Sequence, residues 1–159
     1  MRLRFRVRWI AHLPLALLQR MWPWFDGCTE SFEDTQWDHV VLAYHRDKVV
    51  GFVAFSELRA SGNIDFAHAT DPQHRRRGIT RRLLTEFVRR YGYRFKLRCD
   101  SLRPFMWPQY ERRGFTIARY ISGKKHYGCR QQGVRTYMRE ATAWGWPPAV
   151  RGRGVKRAA

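Results

Sequence analysis

Arginine alternates with Leu, Phe and Val from Arg2 to Arg8, which is the period of a strand. His12 to about Met21 reads as a helix opened by Pro14, whose missing N–H costs nothing at an early helical position. An irregular, Trp-rich acidic stretch follows. His39–Tyr44 and Val49–Phe55 are apolar runs joined by Arg46-Asp47-Lys48, and they predict a hairpin buried well enough to lose its alternation. Asn63–Thr70 is the next strand. From Ile79 the period changes: Ile79, Leu83, Leu84, Phe87, Val88 and Tyr91 share one helical face, while Arg81, Arg82, Glu86, Arg89 and Arg90 point away. Phe95–Cys99 predicts a short strand, and Pro104 opens a helix running towards Arg113 that Gly114 ends as a C-cap. Strands near Phe115–Ser122 and Val134–Glu140 complete the pattern.

The chain has 159 residues, enough for one continuous core and too few for two ordinary ones. One domain over residues 1–143 is expected, followed by a basic, flexible tail over 144–159 with Arg151, Arg153, Lys156 and Arg157 among glycines and alanines. No apolar stretch is long and uncharged enough to span a bilayer, and Met1 to Arg8 lacks the apolar block of a signal peptide. Cys28, Cys99 and Cys129 are odd in number and widely spaced, which suggests neither a disulfide framework nor a zinc site. A cytoplasmic protein without a metal is expected, with monomer and homodimer both open.

Charge alters this picture most. There are 31 Lys plus Arg against 13 Asp plus Glu, a formal net charge of +18 at pH 7. Asp26, Glu30, Glu33, Asp34, Asp38 and Asp47 are grouped, whereas beyond Glu111 twelve Lys and Arg face Glu140 alone. A polyanionic partner is implied, nucleic acid among the candidates. A solvated basic face serving solubility is the plainer alternative.

A strand, a basic turn and a helix follow in order at Ile64–Thr70, Asp71–Arg77 and Gly78 onward. The first N–H groups of a helix have no acceptors within it, and its aligned dipoles place positive charge there. A pyrophosphate fits that end, Gly78 lets it approach the backbone, and nearby guanidinium groups add charge-assisted hydrogen bonds.

Arg75-Arg76-Arg77-Gly78-Ile79-Thr80 resembles the signature of the GNAT superfamily of N-acetyltransferases: Arg or Gln, two residues, Gly, one residue, then Gly or Ala. Thr80 departs from it. Ala69-Thr70-Asp71-Pro72 is similar to the end of that family's fourth strand, and Tyr110-Glu111-Arg112-Arg113-Gly114-Phe115 to its Tyr placed four residues before Gly-Phe. The resemblance covers roughly His39 to Ile117.

The resemblance implies an α/β (α+β) fold with a mixed, mostly antiparallel sheet of about six or seven strands, flanked by helices, whose fourth and fifth strands splay apart. It implies acetyl-CoA as cofactor, with pantetheine along Ala69 and Thr70 and the pyrophosphate on backbone N–H groups of Arg75, Arg76, Arg77, Gly78, Ile79 and Thr80. A bulge usually helps in that strand. The implied reaction is direct attack of an amine on the thioester, with Tyr110 as the acid protonating the departing thiolate. Asp65, sharing a face with Ala67 and Ala69, is the candidate base. His68 is expected on the opposite face, while Glu57 and Asp100 are alternatives acting through water. Arg103 stands where the family often has Asn.

The acceptor is expected on a nucleic acid, as an aminoacyl-tRNA amine or an amine on a modified base, since a positive surface repels a free cationic amine. Trp22, Trp24, Trp37 and Trp107 are candidates for stacking on bases, or else packing aromatics. Acetylation of a protein lysine or N-terminus, and a non-catalytic nucleic-acid-binding module, stay open as alternatives.

Overall fold

The computed structural model describes residues 1–25, 37–58, 62–101, 103–122 and 133–142. The tail expected over 144–159 lies outside them, as do Cys28, Cys129 and the side chain of Glu57. Strands β1 (Leu3–Trp9), β2 (His39–His45), β3 (Lys48–Leu58), β4 (Asn63–Thr70), β5 (Lys96–Ser101), β6 (Thr116–Ser122) and β7 (Gly133–Arg139) form one sheet, ordered β1-β2-β3-β4-β5-β7-β6. Among the described strands only β4 and β5 pair in parallel, so the sheet is mixed and mostly antiparallel, as expected.

The helices are α1 (Leu15–Met21), α2 (Ile79–Tyr91) and α3 (Trp107–Glu111). Helix α1 starts later than its apolar pattern suggested, because Pro14 sits extended at the N-cap and Ile10–His12 form a separate 3-10 turn. Helix α3 is likewise shortened: Pro104–Met106 is a 3-10 turn, and α3 carries a second proline, Pro108, in its own first turn. Gly114 follows at φ 83°, the left-handed conformation of a helix end.

One core lies on each face of the sheet. Helix α2 buries Ile79, Leu83, Leu84, Phe87 and Val88 against Val53, Phe55, Ile64 and Phe66. Each such side chain contributes about 1.5–3 kcal/mol relative to exposure. On the other face, Met21 and Trp24 cover Val40, Leu42, Val49, Phe52, Ala54 and Ala69. Alternation along β4 therefore sends Phe66 to the α2 core and Ala69 to the α1 core.

Two of the twelve basic residues beyond Glu111 are buried fasteners. Arg139, 2% exposed, donates from Nε to the Arg113 carbonyl and from Nη1 to the Gly92 carbonyl, both at 2.8 Å. Arg113 in turn donates to the Arg81 carbonyl at 2.9 Å and the Gln109 carbonyl at 2.7 Å, tying α3 to α2. The planar guanidinium fork suits several fixed carbonyls at once.

Candidate functional site

The ladder between β4 and β5 holds Asn63 with Lys96, Ile64 with Leu97 and Asp65 with Arg98, and then stops. Strand β4 continues to Thr70 and β5 to Ser101, so the two diverge and open a split through the sheet. No bulge is involved on the other side: the register of β3 with β4 is regular from Gly51–Thr70 to Leu58–Asn63. The split is made by the divergence of β5, which pairs instead with β7.

A cavity of about 620 Å³ runs through this split, and Asp65, Ala67, His68, Ala69 and Thr70 of β4 all line it. At one end stands the start of α2. Gly78 is its N-cap at φ 73°, no side chain caps the helix, and its first turn holds no acid. Arg76 precedes it at φ 63°, so two left-handed residues turn the chain into the helix. Arg75, Arg76, Gly78, Ile79 and Thr80 line the cavity, as does Arg81, which the sequence motif did not single out, whereas Arg77 is exposed away from it. Arg75 also braces the site, donating from Nη2 to the Trp24 carbonyl at 3.1 Å and from Nε to the Thr70 carbonyl at 3.4 Å. The Thr80 hydroxyl lies 2.8 Å from that of Thr70, so the bulk that departs from the motif is turned onto the end of β4.

Deeper in, Tyr110 is buried, with its ring stacked on Tyr137 at 5.1 Å and edge-on to Phe115 at 5.7 Å. Its hydroxyl is hydrogen-bonded to His68 Nε2 at 2.5 Å. His68 does lie opposite Asp65, and that is the face on which α3 presents Tyr110. Ile64, Phe66 and His68 alternate on the α2 side, where Tyr110 joins the same core. Burial chiefly, then Arg113 and Arg103, lowers the His68 pKa from 6.5 to about 4, so its imidazole is neutral near pH 7. Burial first, then Cys99, pushes the Tyr110 phenol well above its ordinary range, with a hydrogen bond to Ser101 opposing. It stays protonated at neutral pH. Burial likewise keeps the Cys99 thiol protonated.

Asp65, in the last β4–β5 pair, stands where the split begins and on the opposite face of the sheet from His68. Burial raises its carboxyl, with Arg98 opposing and Asp100 adding to the rise. Trp22, Phe25 and Trp37 close this end, their rings 5.2–6.4 Å apart. Trp24 is a core residue against Phe52, and Trp107 carries the Arg135 guanidinium 3.5 Å above its ring. The described residues contain no cluster able to hold a metal ion and no helix long and apolar enough to cross a membrane.

The family model described as "Acetyltransferase (GNAT) domain" matches residues 36–117, the stretch holding the split, the helix start and Tyr110. The chain belongs to the GNAT acetyltransferase family. No curated protein matches it by sequence. Solved GNAT structures share its fold. The Bacillus subtilis acetyltransferase in complex with CoA superposes with a TM-score of 0.69 at 11% identity, covering 87% of this chain and 99% of that one. The Elizabethkingia anophelis GNAT family acetyltransferase with acetyl-CoA bound gives 0.68 at 14%, covering 87% and 97%. The Escherichia coli ribosomal-protein-S18-alanine N-acetyltransferase gives 0.67 at 12%, covering 87% and 95%.

As a GNAT domain the chain is an acyl-CoA-dependent N-acyltransferase with acetyl-CoA as its cosubstrate. Its own residues fit that ligand. The uncapped helix start, flanked by Arg76 and Arg81, offers donors and no competing carboxylate, which suits a pyrophosphate. Strand β4 beyond Asp65 has lost its β5 partner, leaving main-chain groups for an extended, amide-bearing arm.

Proposed function

We propose that the chain transfers an acetyl group by direct attack of a primary amine, the acceptor being carried on a nucleic acid as an aminoacyl-tRNA amine or an amine of a modified base. One observation supports the catalytic part above all: a single cavity joins the uncapped start of α2 to the buried Tyr110 hydroxyl through the split between β4 and β5. Backbone N–H groups from Arg76 to Thr80 hold the diphosphate, while that of Arg75 is turned to the Pro72 carbonyl at 3.5 Å. Ala69 and Thr70 line the path of the pantetheine; the main-chain groups of Thr70 and His68, which face away from β3, are offered to it, and a donor there polarises the thioester carbonyl as charge develops on its oxygen. When bound, acetyl-CoA supplies an acyl group on a thiol leaving group.

Asp65 accepts the proton released by the attacking nitrogen, directly or through a water, and its raised pKa brings it nearer the range of a working base. Tyr110 gives its O–H proton to the departing sulfur. One proton leaves the nitrogen and one reaches the thiolate, and both residues return to their starting forms by exchange with solvent. His68 aims the phenol: in the tautomer with its proton on Nε2, the neutral imidazole donates to the Tyr110 oxygen and leaves the O–H free to turn to sulfur. A covalent route through Cys99 is disfavoured by its protonated thiol.

The net charge of +18 supports the polyanionic acceptor, because it attracts phosphates yet repels a free ammonium ion. Incubating the protein with labelled acetyl-CoA and separate pools of tRNA, DNA and cell protein tests this reading. Label in tRNA is the expected result. Label confined to protein would replace the acceptor while leaving the chemistry standing.

A further inference from the structure

Among the described residues strand β1 is an edge strand with β2 as its one neighbour. Leu3, Phe5 and Val7 belong to the α2 core, and Arg2, Arg4, Arg6 and Arg8 are all exposed on the opposite side. Alternate strand positions lie about 6.8 Å apart, comparable with the step between successive phosphates of an extended strand. Arg2 and Arg4 join His45, the last residue of β2, and Arg46, in the β2–β3 turn, in lining a shallow hollow of about 470 Å³. Arg46 holds φ 54° there, and its carbonyl accepts from Arg4 Nη2 at 2.6 Å. The ion pair that the described residues give this group is Arg4 with Asp47 at 3.0 Å, with the carboxylate almost fully exposed. Such a pair is weak and readily replaced by phosphate oxygens.

The hollow lies at the end of the sheet where β4 leads towards α2. Leu3 pairs with His45, His45 with Lys48, and Gly51 with Thr70. Arg82, in the first turn of α2, donates to the Met1 carbonyl at 2.7 Å. The hollow and the cavity at the start of α2 share no lining residue.

We propose that Arg2, Arg4, Arg6, His45 and Arg46 form a docking surface for the phosphodiester backbone of a nucleic acid. This rests on the reading of the acceptor as nucleic-acid-linked and deepens it by naming where the polymer is gripped. Charge on an edge strand also blocks pairing with other chains, but that role does not require Arg46, which lies in the β2–β3 turn beyond it.

The test uses deacylated tRNA as probe, with the full chain and the variant Arg2→Ala/Arg6→Ala/Arg46→Gly, in which glycine keeps the left-handed turn without strain. Binding is followed between about 50 and 200 mM salt, where each lost phosphate contact lowers the slope of log K against log salt by about 0.7–0.9. The variant is expected to bind at least about tenfold more weakly, with the slope reduced by about 2–3 and the thermal shift given by CoA unchanged. Arg2→Gln, a milder change at the chain end, should lower the slope by about 1. Unaltered tRNA binding in both variants overturns the surface and leaves the acceptor reading standing. No tRNA binding by the unmodified chain, with label passing to protein alone, removes the acceptor reading and the surface with it. Loss of binding to phosphatidylserine vesicles, with tRNA binding intact, would reassign the surface to membranes and overturn the proposal.

Discussion

Replacing Tyr110 by Phe removes one oxygen and keeps the ring that packs between Tyr137 and Phe115. The hydroxyl has two duties in this account. It bonds His68, and it delivers a proton to the thiolate. Losing the first leaves the His68 Nε2 without that partner in a partly buried site, which costs about 1–3 kcal/mol of stability. Losing the second removes a general acid, worth about 10²–10⁴ in rate, or about 2.7–5.4 kcal/mol at 1.36 kcal/mol per decade. The assay is thiol release followed by a chromogenic disulfide, with labelled product measured in parallel. The account expects kcat to fall by at least about a hundredfold while the CoA thermal shift stays near that of the parent, since the start of α2 is untouched. A Phe variant that folds, binds CoA and keeps kcat within about threefold, far below the loss a general acid's removal brings, would refute the assignment of Tyr110.

Three further outcomes follow from the geometry. Gly78→Ala meets no side chain or backbone closer than Arg81 Nη2 at 3.9 Å, so its cost comes from φ 73° alone, about 1–2 kcal/mol; calorimetry should show a lower Tm and a weaker CoA thermal shift. Gly92→Ala puts a Cβ 2.5 Å from Arg139 Nη1 and 2.7 Å from the Val88 carbonyl, and a urea midpoint should report about 1–3 kcal/mol lost to overpacking with KM for acetyl-CoA unchanged. For His68 the folded pKa of about 4 lies below the unfolded 6.5, so between these values the unfolded chain binds the extra proton and stability falls as pH falls. Imidazole NMR should find this ring neutral down to about pH 4, and a midpoint near 6.5 would contradict its burial.

The framework was legible where periodicity is strong. Strand β4 spans Asn63–Thr70 and α2 spans Ile79–Tyr91, the positions where alternation and the 3.6-residue period mark them. Both are buried on a defined face, so pattern and packing agree. Helix α3 was drawn too long because prolines at 104 and 108 compete over where its first turn begins. The pairing of His68 with Tyr110 was missed because alternation gives a residue its face but does not say which later element covers that face. Arg113 and Arg139 enter the sequence reading only among the twelve basic residues beyond Glu111, since nothing in the sequence tells a guanidinium that braces carbonyls from one in water. Arg81 escaped because the motif stops at Thr80, although one more residue still faces the same cavity.

The account depends on peptide N–H groups at the start of α2 receiving the cosubstrate's diphosphate. Amide NMR shifts on titration with CoA test this directly, read at Gly78, Ile79 and Thr80 and compared with desulfo-pantetheine, which lacks the diphosphate. Large shifts at these three amides with CoA, and small ones with the truncated ligand, are the predicted result. Saturable CoA binding that leaves those amides unmoved would contradict the account.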